Sequence, residues 1–119
     1  MIEAYRPAGF ATLPTKVRAI LADPQNDRIL SVASIVEIGV KNALGRIEMT
    51  EAQTRQAIRD LCLTVIPLRA QDAFQFFSMR QRSDPFDRMI VATALTEGIP
   101  LIGGDREFKL YKGLQVIWR

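Results

Sequence analysis

Apolar and polar positions along this chain fall into short blocks, and the period changes from block to block. In "LPTKVRAILAD", Leu13, Val17, Ile20 and Leu21 recur at helical spacing, which predicts one apolar face on a helix ended by Pro24. "RILSVAS" is apolar and β-branched without alternation, the pattern of a buried strand, expected from Ile29 to Ala33. Ser34 then opens a helix with Ile35, Ile38 and Leu44 inward, and Gly45 suits its C-terminal cap. Thr50 opens another, running through Ala57, Ile58 and Leu61. "LTVIPL" reads as the next strand, with Pro67 confining it to a strand end. A helix carrying Ala73, Phe74 and Phe77 follows, then polar "RQRS". Asp84 and Pro85 start a helix whose face includes Ile90, Val91, Ala94 and Leu95, and Gly98 stops it. "IPLIGG" and "LQVIW" are brief closing strands.

Strands alternating with helices predict an α/β domain: a parallel sheet, helices on both faces and right-handed crossovers. In such sheets, sites form beyond the carboxyl ends of the strands. The 119 residues suit one domain with a modest core, and 48% hydrophobic with 24% charged residues describes an ordered globular chain. No apolar run approaches the roughly 20 residues of a membrane helix, and "MIEAYRPAGFATLP" lacks the plan of a secretory leader. With Cys62 as the single cysteine there is no disulfide framework, so a cytoplasmic protein is the expectation.

The net charge of +3, with 12 of the 16 basic residues being Arg, permits a phosphate-bearing substrate without demanding one. The absence of His excludes more. It removes imidazole ligands, Ser–His and Cys–His pairs and His general bases. Enzymatic chemistry here must rest on carboxylates, with or without a hard metal ion.

Three acids sit where that chemistry needs them. Glu37 lies a turn beyond the strand "ILSVA", Asp87 lies in the first turn of "PFDRMIVATAL", and Asp105 directly follows "PLIGG". Carboxylates meeting at the carboxyl edge of a sheet repel one another unless a divalent cation such as Mg²⁺ or Mn²⁺ neutralises them. Each acid also has a local explanation. "SIVE" is a capping box in which Ser34 caps the helix and Glu37 reaches back. Asp84 is an N-cap before Pro85 and stands four residues from Arg88, a helical ion-pair spacing. Asp87 gains from the helix dipole, Asp105 fits a turn, and Lys41 is placed to pair with Glu37.

Taken together, "SVASIVEIGVKNALGRIEM", "VIPL" and "DPFDRMIVATALTEGIPLIGGDREF" resemble the PIN domain, and most closely the toxin ribonucleases of VapBC toxin–antitoxin pairs. The resemblance runs from about residue 13 to 118 of a single domain, with residues 1–12 divergent. It implies a three-layer α/β sandwich with a parallel sheet and a carboxylate cluster binding Mg²⁺ or Mn²⁺. It also implies RNA hydrolysis, a cognate antitoxin and homodimers or higher oligomers. Carried over residue by residue, Glu37, Asp87 and Asp105 match the metal-binding, catalytic acids. Lys41, Arg46 and Arg88 are candidates for RNA or antitoxin contacts. The family usually has Thr-x-Asp where this chain has Gly103-Gly104-Asp105.

The resemblance also implies a central first strand ending in Asp, the first metal ligand. No Asp occurs here before Asp23, so that strand is absent or rudimentary. "IEAY" can serve as a short strand with Glu3 in place of the Asp. The alternatives are a start downstream of the family's usual one, or a degenerate copy. A missing central strand leaves backbone edges on both neighbours, which predicts oligomerisation, strand exchange, a partner chain or poor solubility. Two functions stay open: a metal-dependent toxin endoribonuclease, or a catalytically impaired PIN remnant that binds an antitoxin or itself. A flavodoxin-like signalling domain would want acids after the first strand and a Lys after a late one, and neither is present.

Overall fold

The computed structural model describes residues 13–79 and 84–118. The segment "IEAY" with Glu3, and the polar run "RQRS", lie outside the described residues. The described elements, in chain order, are helix α1 (Thr15–Ala22), strand β1 (Ile29–Ser31), helices α2 (Val32–Ala43) and α3 (Glu51–Asp60), and strand β2 (Thr64–Ile66). Helix α4 (Ala70–Phe74) runs into a 3-10 turn (Gln75–Ser78). Helix α5 (Pro85–Glu97), strand β3 (Leu101–Ile102), a second 3-10 turn (Arg106–Leu110) and strand β4 (Val116–Ile117) complete the order. The chain is thus mixed α/β with parallel strands.

Among the described residues the strands form two parallel pairs, β1 with β2 and β3 with β4. The β3–β4 pair explains the layering. Leu101 is in register with Val116, and both pack with Val91, Ala94, Phe108 and Tyr111 on the α5 side. The next pair in register, Ile102 and Ile117, packs against Leu13, Val17 and Leu21 of the α1 segment. Successive side chains of a strand point to opposite faces, so α5 and α1 cover the two faces of this pair. A third cluster joins Leu30 of β1 to Ile38 of α2 and Met49, closed by Ile58 and Leu61 of the α3 hairpin.

Local chemistry sets the helix ends. Thr50 and Gln53 form a reciprocal capping box on α3: the Gln53 N–H donates to the Thr50 hydroxyl and the Thr50 N–H to the Gln53 amide oxygen. Asp84 caps α5 with Pro85 in the first helical position, and Gly98 ends it at φ 66°. Two expectations change. The second helix begins at Val32 with Ser31 as its cap, so the preceding strand ends at Ser31 instead of Ala33. Leu44, expected inward, is exposed, because the helix face follows Ser34, Glu37 and Ile38.

Asp72 of α4 is fully buried, accepts the Arg69 N–H at 2.9 Å, and accepts the Thr96 hydroxyl of α5. Arg69 also forms an ion pair with Glu97. Two elements that share little apolar surface are fastened by this polar junction.

Candidate active site

The site is built where α2 and α5 pack together. β1 delivers the chain into α2, whose cap is formed when the Ala33 N–H donates to Ser31 Oγ at 3.1 Å. One and a half turns later Glu37 emerges, only 6% exposed. It does not reach back to a capping Ser34. Ser34 lies inside the helix and is itself buried, so the "SIVE" box does not form. The Glu37 carboxylate instead meets Lys41 Nζ at 2.9 Å, the pairing that the four-residue spacing predicts.

Helix α5 brings the other acids to the same place. Glu37, Asp84 and Asp87 each offer a carboxylate oxygen, and these oxygens lie within 4.8 Å of one another. The Phe86 N–H donates to Asp84 Oδ1 at 2.8 Å, so Asp84 is a helix cap as expected. A carboxylate has a second oxygen and further lone pairs, so capping leaves Asp84 able to take part in the cluster. The sequence suggests the cap and a surface pair with Arg88, and not a place in the cluster. The signal available was its spacing of three from Asp87, which puts both acids on one side of the first helical turn.

Asp105 stands outside this group of three. It is exposed and caps the second 3-10 turn, accepting the Glu107 N–H at 2.9 Å. Its charge still reaches the cluster. The Asp87 carboxyl is pushed up from 3.8 to about 6, first by burial, then by repulsion from Glu37, Asp84 and Asp105, with Lys41 opposing. Asp87 is therefore the point where the field of all four acids converges.

The glycines before Asp105 have a packing cause. A Cβ on Gly103 would lie 2.5 Å from the Phe108 ring, and one on Gly104 would lie 2.7 Å from the Trp118 indole. Two aromatic rings press on the backbone where the resemblance has a Thr, so the hydroxyl there is exchanged for ring packing.

The basic candidates separate. Lys41 is at the site, bound to Glu37. Arg88, next to Asp87 in sequence, makes no ion pair with Asp84; its guanidinium lies 4.9 Å from the centre of the Phe76 ring. Arg46 lies beyond the end of α2 and is exposed.

The donor set fits a hard divalent cation. Three carboxylates with oxygens this close, one of them raised by burial and then by its neighbours, form an oxygen-only group whose repulsion a cation relieves.

The PIN domain profile matches residues 11–114 of this chain. The chain belongs to the PIN domain family. Members of this family are generally nucleases, typically dependent on divalent metal ions. A search of curated proteins found no match. Among the described residues, no helix of this PIN domain is long and apolar enough to cross a membrane.

Proposed function

We propose that this PIN domain is a metal-dependent endoribonuclease, the toxin component of a type II toxin–antitoxin pair acting in the cytoplasm. The observation that carries the reading is the convergence of Glu37, Asp84 and Asp87, with Asp105 adding its charge. Glu37, Asp84 and Asp87 would hold Mg²⁺ or Mn²⁺, with Asp105 adding negative charge from outside the group. The cation supplies an activated water and charge neutralisation for phosphodiester hydrolysis.

The chain's own residues supply the rest. Asp87, with its carboxyl raised to about 6 by burial and by its acidic neighbours, must give up its proton to serve as a ligand, and the cation would hold it in the charged form. Lys41, held at 2.9 Å by Glu37, keeps a cation beside the cluster where a scissile phosphate enters. The buried Glu37 is fixed by this pair and by the α2 backbone, so the acids are organised before substrate arrives.

A second reading, a PIN remnant that binds an antitoxin or itself, is favoured by one feature. Val36, Val40 and Leu44 form an exposed apolar ridge on α2, and Phe74 and Phe77 are exposed beside α5. Such a surface suits a partner helix or a second copy.

One assay separates the two. The purified chain is incubated with a panel of RNAs in Mg²⁺ or Mn²⁺, with EDTA and Asp87→Asn as controls. The nuclease reading expects cleavage that EDTA abolishes and that Asp87→Asn reduces by about 100-fold or more. Cleavage that survives either EDTA or the substitution would reject the metal–carboxylate mechanism. A folded chain with no cleavage would favour the binding reading.

A further inference from the structure

Several arginines of this chain spend their guanidinium groups on neighbours. Arg55 pairs with Glu51, Arg69 pairs with Glu97, and Arg28 donates to the Leu61 carbonyl at 3.0 Å. Arg88 departs from this. Asp84 stands four residues before it, a spacing at which helical ion pairs form readily. Yet Arg88 makes no ion pair with any described acid. Its Nε is buried and has no hydrogen-bond partner among the described residues. The cation that opposes the rise of the Asp87 carboxyl is Lys41.

The direction of the side chain is the cause. A helix turns by about 100° per residue, so Arg88 leaves α5 on the flank beside Asp87. Asp84 and Asp87 gather with Glu37 of α2. Arg88 lies instead against Phe76 of the 3-10 turn, with its guanidinium 4.9 Å from the ring centre. In "FQFF" the rings of Phe74 and Phe77 are exposed, and Phe76 is the half-buried one that receives the cation.

This contact leaves the guanidinium ready for an anion. The ring attracts the cation through its π face and takes none of its N–H donors. A planar fork already held on a ring loses less freedom on binding than a mobile chain does. It also matches a phosphate with two parallel hydrogen bonds, which an ammonium cannot do. Lys41, the other cation of the site, is already taken by Glu37 at 2.9 Å. A strand with its scissile phosphate at the acids carries further phosphates on either side. The flank of α5 away from α2 offers Arg88 to one of them.

We propose that Arg88 binds a backbone phosphate flanking the scissile one on a single strand of RNA, and that Phe76 sets its direction. The proposal rests on the nuclease reading above and adds the residue that fixes how the strand lies across the acids. A carboxylate of a protein partner matches less well, because nothing ties that one charge to the acid group. RNA presents phosphates in a continuous row, with one of them held there.

Binding of a short fluorescein-labelled single-stranded RNA to the full chain, followed by anisotropy over a salt titration, tests this. Ca²⁺ replaces Mg²⁺ so that an oxygen site is filled, and a gel checks the RNA for cleavage. Arg88→Gln is expected to weaken binding about 10-fold or more, and to lower the slope of log affinity against log salt by about 0.7. Arg88→Lys is expected to restore the slope but only part of the affinity. Phe76→Leu is expected to keep the slope and weaken binding about 3-fold. Arg55→Gln, on α3, is expected to bind as the parent does. If Arg88→Gln fails to melt as a folded chain, Arg88→Lys and Phe76→Leu decide. Parent-like affinity and slope in the Arg88 variants overturn the proposal, even where the parent cleaves RNA. Lost affinity at an unchanged slope for Arg88→Gln overturns it too, since Arg88 then supports the helix and meets no phosphate. So does equal, Arg88-dependent binding of a polyglutamate peptide, or a parent that binds no RNA. Arg88-dependent binding with no cleavage in Mg²⁺ or Mn²⁺ upholds the contact and counts against the nuclease reading alone.

Discussion

Asp87 is the residue on which burial and repulsion add, and its stability effect can be read from the sign of that shift. Its carboxyl is raised from 3.8 to about 6, so between those values the folded chain holds a proton that the unfolded chain has released. Stability therefore falls as pH rises through that window and stays lower above it; below about pH 4 both states carry the proton and the penalty is absent. Asp87→Asn removes the charge while keeping much of the shape. In metal-free buffer with EDTA at pH 7.5, the variant is expected to be more stable than the parent by about 1–2 kcal/mol, the full shift being discounted because the side chain is only half-buried. At pH 3.5 the two melting temperatures are expected to converge. A variant less stable than the parent at pH 7.5 would mean that Asp87 serves as a structural acceptor and not as the focus of the cluster. Glu37, more buried still, has Lys41 Nζ against its carboxylate at 2.9 Å.

At the scale of elements, the junction of α4 and α5 is held by polar contacts. Asp72 is fully buried, and its carboxylate oxygens are taken by the Arg69 N–H and the Thr96 hydroxyl. Asp72→Ala strands both donors, and is expected to cost about 2–4 kcal/mol in chemical denaturation. Thr96→Val is expected to cost less, and the double variant less than the sum, since both remove one contact. Equal additivity would show that the two side chains do not act together. How legible such elements were depended on what distinguished one residue from its neighbours. The ends of α5 were readable because Asp84, Pro85 and Gly98 each have one conformational meaning there. The start of α2 was not, since Ser31 and Ser34 carry the same capping chemistry. Pairing of β1 with Thr64–Ile66, which the local sequence does not encode, puts the cap at Ser31. Likewise Asp72 looks like an ordinary first-turn acid and Asp84 like an ordinary helix cap. Only the packing of α4 and α2 against α5 makes one a buried clasp and the other a member of the site.

For the whole molecule, the placement of the acids opposes folding until something neutralises them. The chain is basic overall at +3, yet Glu37, Asp84 and Asp87 gather in one group and Asp105 adds its charge to Asp87. A cation that binds only the folded arrangement stabilises it by about 2.7 kcal/mol at a hundred times its Kd. The melting temperature is therefore expected to rise with Mg²⁺ or Mn²⁺ at pH 7.5, and to rise less at pH 5, where Asp87, with its carboxyl at about 6, must first release a proton. The geometry ranks the acids. Glu37→Gln, Asp84→Asn and Asp87→Asn should each remove most of the response, because these three oxygens lie within 4.8 Å. Asp105→Asn should remove less, because Asp105 contributes charge from outside that group. Calorimetric scans of the four variants over a cation titration give the order directly. A response lost equally with Asp105→Asn but retained with Asp84→Asn would restore the trio of Glu37, Asp87 and Asp105 that the strand ends suggest. It would leave Asp84 as a helix cap and nothing more.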